Sequence, residues 1–333
     1  MRIGVTFDLQ RDPLDLDQAE FDPPDVIVAI QNALRHLGHV PVLLDNATAV
    51  AACVRSREDQ ARFRERFDLV LNIAEGSGGR CREAWVPAMF EVLEIPFVGS
   101  GSATLALGLD KALCKRLAFA SGVPTPPWKV VHTAADLPAA ATLGFPVIVK
   151  PLHEGSGVGI DPDAVARDGD SLARAVERLW KNFRQPALVE RFIAFGELTV
   201  FLIGNDPVEA LPVIQRSIEP VSRLAYHVAI RPGETAAWYD PLEITPALEE
   251  RAKVAAVRMF ETLRCRDMAR VDLRVDEDGN VTFIEINPLP SLHPEQTVGL
   301  LAEHMGITYA DFLGRILDAA IKRLGLNRPG QRQ

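Results

Sequence analysis

The sequence predicts an α/β fold in which a parallel, Rossmann-like N-terminal sheet is followed by hairpin-bearing segments. Three observations carry this. Apolar strands alternate with helical stretches over roughly the first 100 residues, the pattern of a parallel sheet. Two later runs, 198–214 and 268–287, read as hairpins. The chain has 333 residues, just under half of them hydrophobic and about a quarter charged, a globular balance sized for two or three domains.

In order, residues 2–8 read as a first strand. A helix follows Pro23-Pro24-Asp25, with Val26, Ile27, Ile30, Leu34 and Leu37 on its apolar face and Gly38 as its stop. Pro41 to Leu44 is a second strand, 47–66 a polar helix, Asp68 to Ile73 a third strand, Glu83 to Leu93 a helix and Ile95 to Val98 a further strand. Lys111 to Ser121 is an amphipathic helix, and Val123-Pro-Thr-Pro-Pro127 a stiff connector. Phe145 to Pro151 is a buried strand, 171–182 a helix, and Ala187 to Ile193 a strand. The hairpin 198–214 turns at Gly204-Asn205-Asp206-Pro207. Residues 215–241, punctuated by Pro220, Pro232-Gly233 and Pro241, read as an irregular functional loop. Helices over 246–263 and 309–324 complete the chain, with a polar, flexible tail from Gly325. The domain reading is 1–108, 109–195 and 196–325, with 326–333 as tail.

Composition excludes several classes. A formal charge of −9 argues against broad nucleic-acid binding. No apolar run approaches a membrane span, and the N-terminal apolar stretch is too short for a secretory signal. No glycine-rich dinucleotide fingerprint follows the first strand, which disfavours a nicotinamide enzyme. Cys53, Cys81, Cys114 and Cys265 have neither metal-like nor disulfide-like spacing. They suit a cytoplasmic protein and are expected as buried or half-buried hydrophobes.

The run from Met268 to Asn287 has the most chemistry. Asp278-Gly279 predicts a two-residue type I′ turn closed by Glu277 and Asn280. That register sets Val271 against Ile286, Leu273 against Ile284 and Val275 against Thr282 on a core-facing side. The other side pairs Arg270 with Asn287 and Asp272 with Glu285. Two carboxylates opposed at roughly 5 Å repel. A divalent cation would invert that repulsion, and Asp272, Glu285 and Asn287 offer the hard oxygen donors that Mg²⁺ takes. On pattern alone a salt-bridged outer face stands beside this metal reading. Upstream, Lys150 ends a strand directly before His153-Glu-Gly-Ser-Gly-Val-Gly159, whose alternate glycines leave N–H groups open to an anion.

Arg270-Val-Asp272 with Phe283-Ile-Glu285-Ile-Asn287-Pro288 resembles the metal hairpin of the ATP-grasp superfamily, and in particular of the D-alanine–D-alanine ligases. The resemblance extends over roughly residues 68–320. It implies an ATP-grasp fold, with the N-terminal domain followed by two α+β subdomains clamping ATP. It implies ATP and one or two Mg²⁺ as cofactors, with Mn²⁺ admissible, and metal ligands Asp272, Glu285 and Asn287. It assigns nucleotide contacts to Lys111, Lys150, Glu154, Gly155, Ser156 and Gly157. It assigns the adenine-reading segment to Glu190, Arg191, Phe192 and Ile193, and the ribose acid to Glu197. Arg270, with Ser156 and the backbone near Ser291, would serve the transferred phosphoryl group and the tetrahedral intermediate. The implied activity is an ATP-dependent ligation of a small-molecule carboxylate to an amine through an acyl phosphate. Dimers are common among similar ligases.

The resemblance fails at the substrate end. The family has a glycine-rich N-terminal motif with a glutamate for the first substrate's amino group; here Thr6-Phe-Asp-Leu-Gln10 and an acidic insertion stand instead, with Glu20 as replacement. Its active-site loop has a tyrosine and a lysine; here Tyr226 is accompanied by Arg223 and Arg231. After the metal asparagine it has Pro-Gly-Met-Thr and a later Ser-Leu pair; here Pro290-Ser-Leu-His-Pro294 arrives early. Glu75 and His293 complete the candidate substrate contacts. The expectation is a ligase for substrates other than two D-alanines. A D-alanine–D-alanine ligase with unusual loops and a non-catalytic nucleotide-binding regulator are the alternatives.

Overall fold

A computed structural model of the chain describes residues 1–54, 56–218, 224–229 and 242–326. Three sheets form. The first takes β1 (Arg2–Thr6), β2 (Val40–Asp45), β3 (Leu69–Asn72) and β4 (Phe97–Val98), all parallel in the order β2-β1-β3-β4. Between them lie α1 (Pro24–His36), α2 (Ala47–Ala52), α3 (Arg57–Arg64) and α4 (Trp85–Val92). α1 buries Val26, Ile27, Ile30 and Leu34 as the spacing predicts. The single helix expected over 47–66 is two. Asn46 and Ser56 each accept backbone N–H bonds from the following turn, and so start separate helices. Cys53, between them, is exposed, against the expectation of a half-buried hydrophobe, while Cys114 and Cys265 are buried.

α5 (Ser102–Gly108) and α6 (Lys111–Ala120) follow; Asp110 caps α6 by accepting from Leu113 N at 2.9 Å. The second sheet, antiparallel in the order β5-β8-β6-β7, contains β5 (Trp128–Val131), β6 (Val147–Pro151), β7 (Val165–Ala166) and β8 (Ala187–Arg191). It carries α7 (Leu137–Ala141) and α8 (Gly169–Phe183), the latter burying Leu172, Ala175, Val176 and Leu179 against it.

The third sheet contains β9 (Gly196–Gly204), β10 (Val208–Ala210), β11 (Ile214–Ile218), β12 (Ala225–Ala229), β13 (Asp267–Val275) and β14 (Val281–Asn287). It is antiparallel in the order β12-β11-β9-β13-β14, with β10 also on β9. β11 and β12 correct the irregular-loop reading of 215–241 where that stretch is described. Arg223 and Arg231 lie outside the described residues, as does the tail from 327. α9 (Pro246–Thr262) packs Leu248, Ala252, Ala256 and Met259 beneath this sheet. The last helices, α10 (Thr297–His304) and α11 (Tyr309–Leu324), return to the first sheet. Val298, Phe312 and Ile316 share one core with Ile3, Val5 and Ile30, and Phe201 and Met268 of the third sheet join it.

The β13–β14 hairpin differs instructively from its prediction. Arg270 pairs with Asn287, Val271 with Ile286 and Asp272 with Glu285, as expected. Beyond Asp272 the register shifts: Leu273 pairs with Phe283, Arg274 with Thr282 and Val275 with Val281. The turn is one residue longer than type I′. Gly279 N donates to Asp276 O and Asp276 N to Asn280 O, with only Gly279 at positive φ (77°). The Asp276 carboxylate holds the loop by accepting from the N–H groups of Asp278 and Asn280. The extra turn residue is offset by a bulge at Ile284 on the opposite strand. Phe283 and Val281 therefore fill the core in place of Ile284 and Thr282, and Ile284 turns to the cleft.

Candidate active site

The strand ends of all three sheets converge on a cleft with two adjoining cavities. The larger, about 750 Å³, is lined by Lys111, Lys150, Glu154, Gly155, Ser156, Gly157, Glu190, Arg191, Phe192, Ile193 and Glu197. The nucleotide contacts expected from the sequence are thus brought together. Ile148, Ile160, Phe192, Leu224 and Ile284 give it an apolar wall, a surface suited to a flat base. The smaller cavity, about 280 Å³, is lined by Glu20, Glu75, His293 and Asn287 among others, and Arg270, Glu285, Ser156 and Ser291 border both.

The β13–β14 face is as crowded with charge as its register requires. Glu285 Oε2 accepts from Lys111 Nζ at 2.6 Å. Burial pushes the Glu285 carboxyl up, but Lys111, joined by Lys150 and Arg270, outweighs it and holds the group at about 2. Asp272 is held from three sides. Thr199 Oγ1 donates to Oδ1 at 2.7 Å, and Arg270 donates to Oδ2 through Nε at 3.1 Å and Nη2 at 2.9 Å. Asn287 Nδ2 lies 3.4 Å from the same oxygen. Each of the two opposed carboxylates is thus faced by a cation, Glu285 by Lys111 and Asp272 by Arg270, which offsets their mutual repulsion. These donors fit Mg²⁺: two carboxylates and an amide oxygen share one strand-pair face. Among the described residues no group of three or more His, Cys, Asp or Glu is placed to hold a metal.

Lys150 is the penultimate residue of β6 and is buried. Its Nζ donates to Glu190 Oε1 at 2.5 Å, and Lys115 Nζ meets Oε2 of the same carboxylate at 2.5 Å. Burial alone would raise Glu190; the two lysines together hold it at about 2. One carboxylate shared by two lysines leaves each underserved, and burial draws Lys115 below its ordinary value. Lys115 was not anticipated as part of the site. Its only signal is a lysine one turn after Lys111, on the face of α6 that is otherwise apolar. Glu197 is held by Arg274 at 2.8 Å, its cross-strand neighbour, and lies 3.9 Å from Arg216. Arg274 also sits over the Phe192 ring, 5.6 Å from its centre. These partners become visible only with the β9–β13 register.

Arg82, in the turn directly before α4, is a junction. It is buried, pairs with Glu20, donates to His153 O at 2.8 Å and lies 3.4 Å from Glu154. It thus ties the acidic insertion to the start of the glycine loop. A Cβ at Gly155 would stand 2.1 Å from Glu20 Oε1, so a side chain there would have to displace the Glu20 carboxylate. Beyond the hairpin, the loop 291–296 closes on itself. His293 N donates to Ser291 Oγ at 3.3 Å, Glu295 N to His293 Nδ1 at 3.0 Å and Gln296 N to His293 O at 3.2 Å.

A family model described as D-ala D-ala ligase C-terminus matches residues 117–318. The chain is 32% identical over 305 residues to the uncharacterized protein y4sG of Sinorhizobium fredii, covering 90% of this chain and 87% of that one. It is 33% identical over 303 residues to a D-alanine–D-alanine ligase of a Synechococcus species, covering 90% and 89%. Its fold is similar to that of the D-alanine–D-alanine ligase from Bacillus anthracis complexed with ATP. There the TM-score is 0.71 at 21% identity, over 98% of this chain and 100% of that one. VanG D-Ala:D-Ser ligase from Enterococcus faecalis matches at a TM-score of 0.73 and 19% identity, over 96% and 99%.

Proposed function

The chain belongs to the D-alanine–D-alanine ligase family of ATP-grasp enzymes, and from that premise we propose that it joins a small-molecule carboxylate to an amine, the pair being other than two D-alanines. It is an ATP-dependent ligase that forms carbon–nitrogen bonds and uses ATP with Mg²⁺. The domain division at 108 and 195, with the cleft between the parts, belongs to the same proposal.

ATP supplies the activation: a carboxylate oxygen takes the γ-phosphoryl group with departure of ADP, and the amine then displaces phosphate from the acyl carbon. Bound Mg²⁺ would add positive charge at the phosphate oxygens, held by Asp272, Glu285 and Asn287. The chain's own groups provide positioning and charge stabilisation, which dominate this chemistry. Lys150 and Lys111 face the larger cavity and are now paired to Glu190 and Glu285, so each can exchange a carboxylate for a phosphate without crossing the cleft. The N–H groups of 155–157 border the same space. Arg270, between the two cavities, can meet charge on either side of the transferred group. Ser156, Phe192 and Ile160 line the cleft and help to exclude water from a hydrolysable intermediate.

The departure from D-alanine rests chiefly on the loop 291–296. A carboxylate-binding turn needs free N–H groups. Those of His293, Glu295 and Gln296 are engaged inside the loop, and Pro294 has none. A site built for other polar groups discriminates against a substrate that leaves them unpaired. The test is ATP turnover with D-alanine against a panel of amino acids, amines and other carboxylates. The expected result is ADP release and an amide product with a pair other than D-alanine. A highest specificity constant for D-alanine alone, with the dipeptide as product, would overturn the substrate reading.

A further inference from the structure

The smaller cavity has an unbalanced lining. Of its cations, Lys111 is paired with Glu285 and Arg270 with Asp272. Of its carboxylates, Glu20 is paired with Arg82. Asp22, Glu75 and Glu83 also line it, and among the described residues none of these three side chains makes a hydrogen bond or ion pair. Glu83 decides the matter, since it is only 8% exposed and its carboxylate faces the cavity without a partner. A buried carboxylate without a partner is costly, and it is retained where a ligand completes it. A single ammonium group can complete one or two of these acids, not all three.

We propose that this cavity takes an amino acid with a second cationic group on its side chain, an ammonium or a guanidinium that Glu83 and its neighbours receive. The inference rests on the ligase reading for its place in the reaction, because the cavity borders Arg270 and Glu285, where the carboxylate would be activated. At about 280 Å³ it lies at the small end of ligand sites, in keeping with one amino acid and not a longer peptide. The local electrostatics agree with the geometry. Burial, then the Glu20 carboxylate, pushes Glu83 up to about 8 against Arg82 and Lys111. Burial likewise pushes Asp22 up to about 7 and Glu75 well above its ordinary value. The two cationic groups of such a ligand would reverse that pressure.

The experiment compares binding of basic amino acids with their neutral isosteres, lysine against norleucine and arginine against citrulline, in both configurations. Calorimetry on the full chain with Mg²⁺ and a non-hydrolysable ATP analogue gives the affinities, and ADP release with ATP is followed in parallel. The expected result is a basic member that binds at least on the order of 100-fold tighter than its isostere; a site built to pair a polar group rejects the analogue lacking it by up to about 10⁴–10⁵. In Glu83→Gln that ratio should fall about tenfold or more while the analogue still binds, which shows the variant is folded. Equal or weaker binding of the basic members to the wild-type chain overturns the inference whatever the variant does. A basic preference without ADP release leaves the inference standing and removes the ligase reading.

Discussion

Glu190 shows how much one side chain can hold. It is 1% exposed and neutralises two lysines from different elements, Lys115 on α6 and Lys150 on β6. The sequence suggested only that its segment reads a base; the ion triad was invisible because it depends on where α6 packs. Glu190→Gln would leave two buried ammonium groups without a carboxylate, and removing one partner of a buried pair costs about 3–5 kcal/mol. The loss has a pH signature. The carboxyl stands at about 2 in the fold against an ordinary 4.5, so its contribution is complete above the ordinary value and is lost as pH falls towards the folded one. In denaturant titrations, the gap between wild type and Glu190→Gln should be constant near neutrality. Below the ordinary value it should narrow by about 1.4 kcal/mol per pH unit. A gap that does not change with pH would show that the triad does not carry the stability.

At the scale of the element, the hairpin was legible for a partly accidental reason. The pairing of Asp272 with Glu285 was right although the turn was wrong, because a turn one residue too long and a bulge at Ile284 cancel. Alternation of apolar residues specifies which face is buried but cannot register a bulge, which swaps Phe283 for Ile284 without changing composition. The same limit explains the missed short elements. α5, α7 and α10 have five to eight residues each, too few for a helical period to separate from chance. The glycine loop was legible from its sequence, but its anchorage was not, since Arg82 reaches it from more than seventy positions away. That anchorage shapes a prediction. Amides of 154–159 should gain protection from hydrogen exchange when an ATP analogue and Mg²⁺ bind, by about tenfold or more, because their N–H groups then face phosphate rather than water. Equal exchange in both states would mean that the loop does not close on nucleotide.

For the whole molecule, each of the three sheets is built from strands consecutive in the sequence, whereas the way the sheets share a core was not legible there. α10 and α11 come from the C-terminal block yet pack with β1 and α1 of the first, and Arg323 of α11 reaches Asp267 at the start of β13 at 2.6 Å. Such long-range closure places the acidic insertion, the glycine loop and the β13–β14 hairpin around one cleft, although they lie far apart in sequence. The substrate wall was the least legible part, because it is assembled from loops whose residues share no period. In the proposed function, this cleft activates a carboxylate by phosphorylating it. Isotope tracing tests it most directly: the best carboxylate substrate is prepared with ¹⁸O at both carboxylate oxygens and turned over with ATP and its amine. The expected result is one ¹⁸O in the released inorganic phosphate, the other in the amide carbonyl, and ADP as the nucleotide product. Phosphate free of label, or label found in AMP, would contradict it.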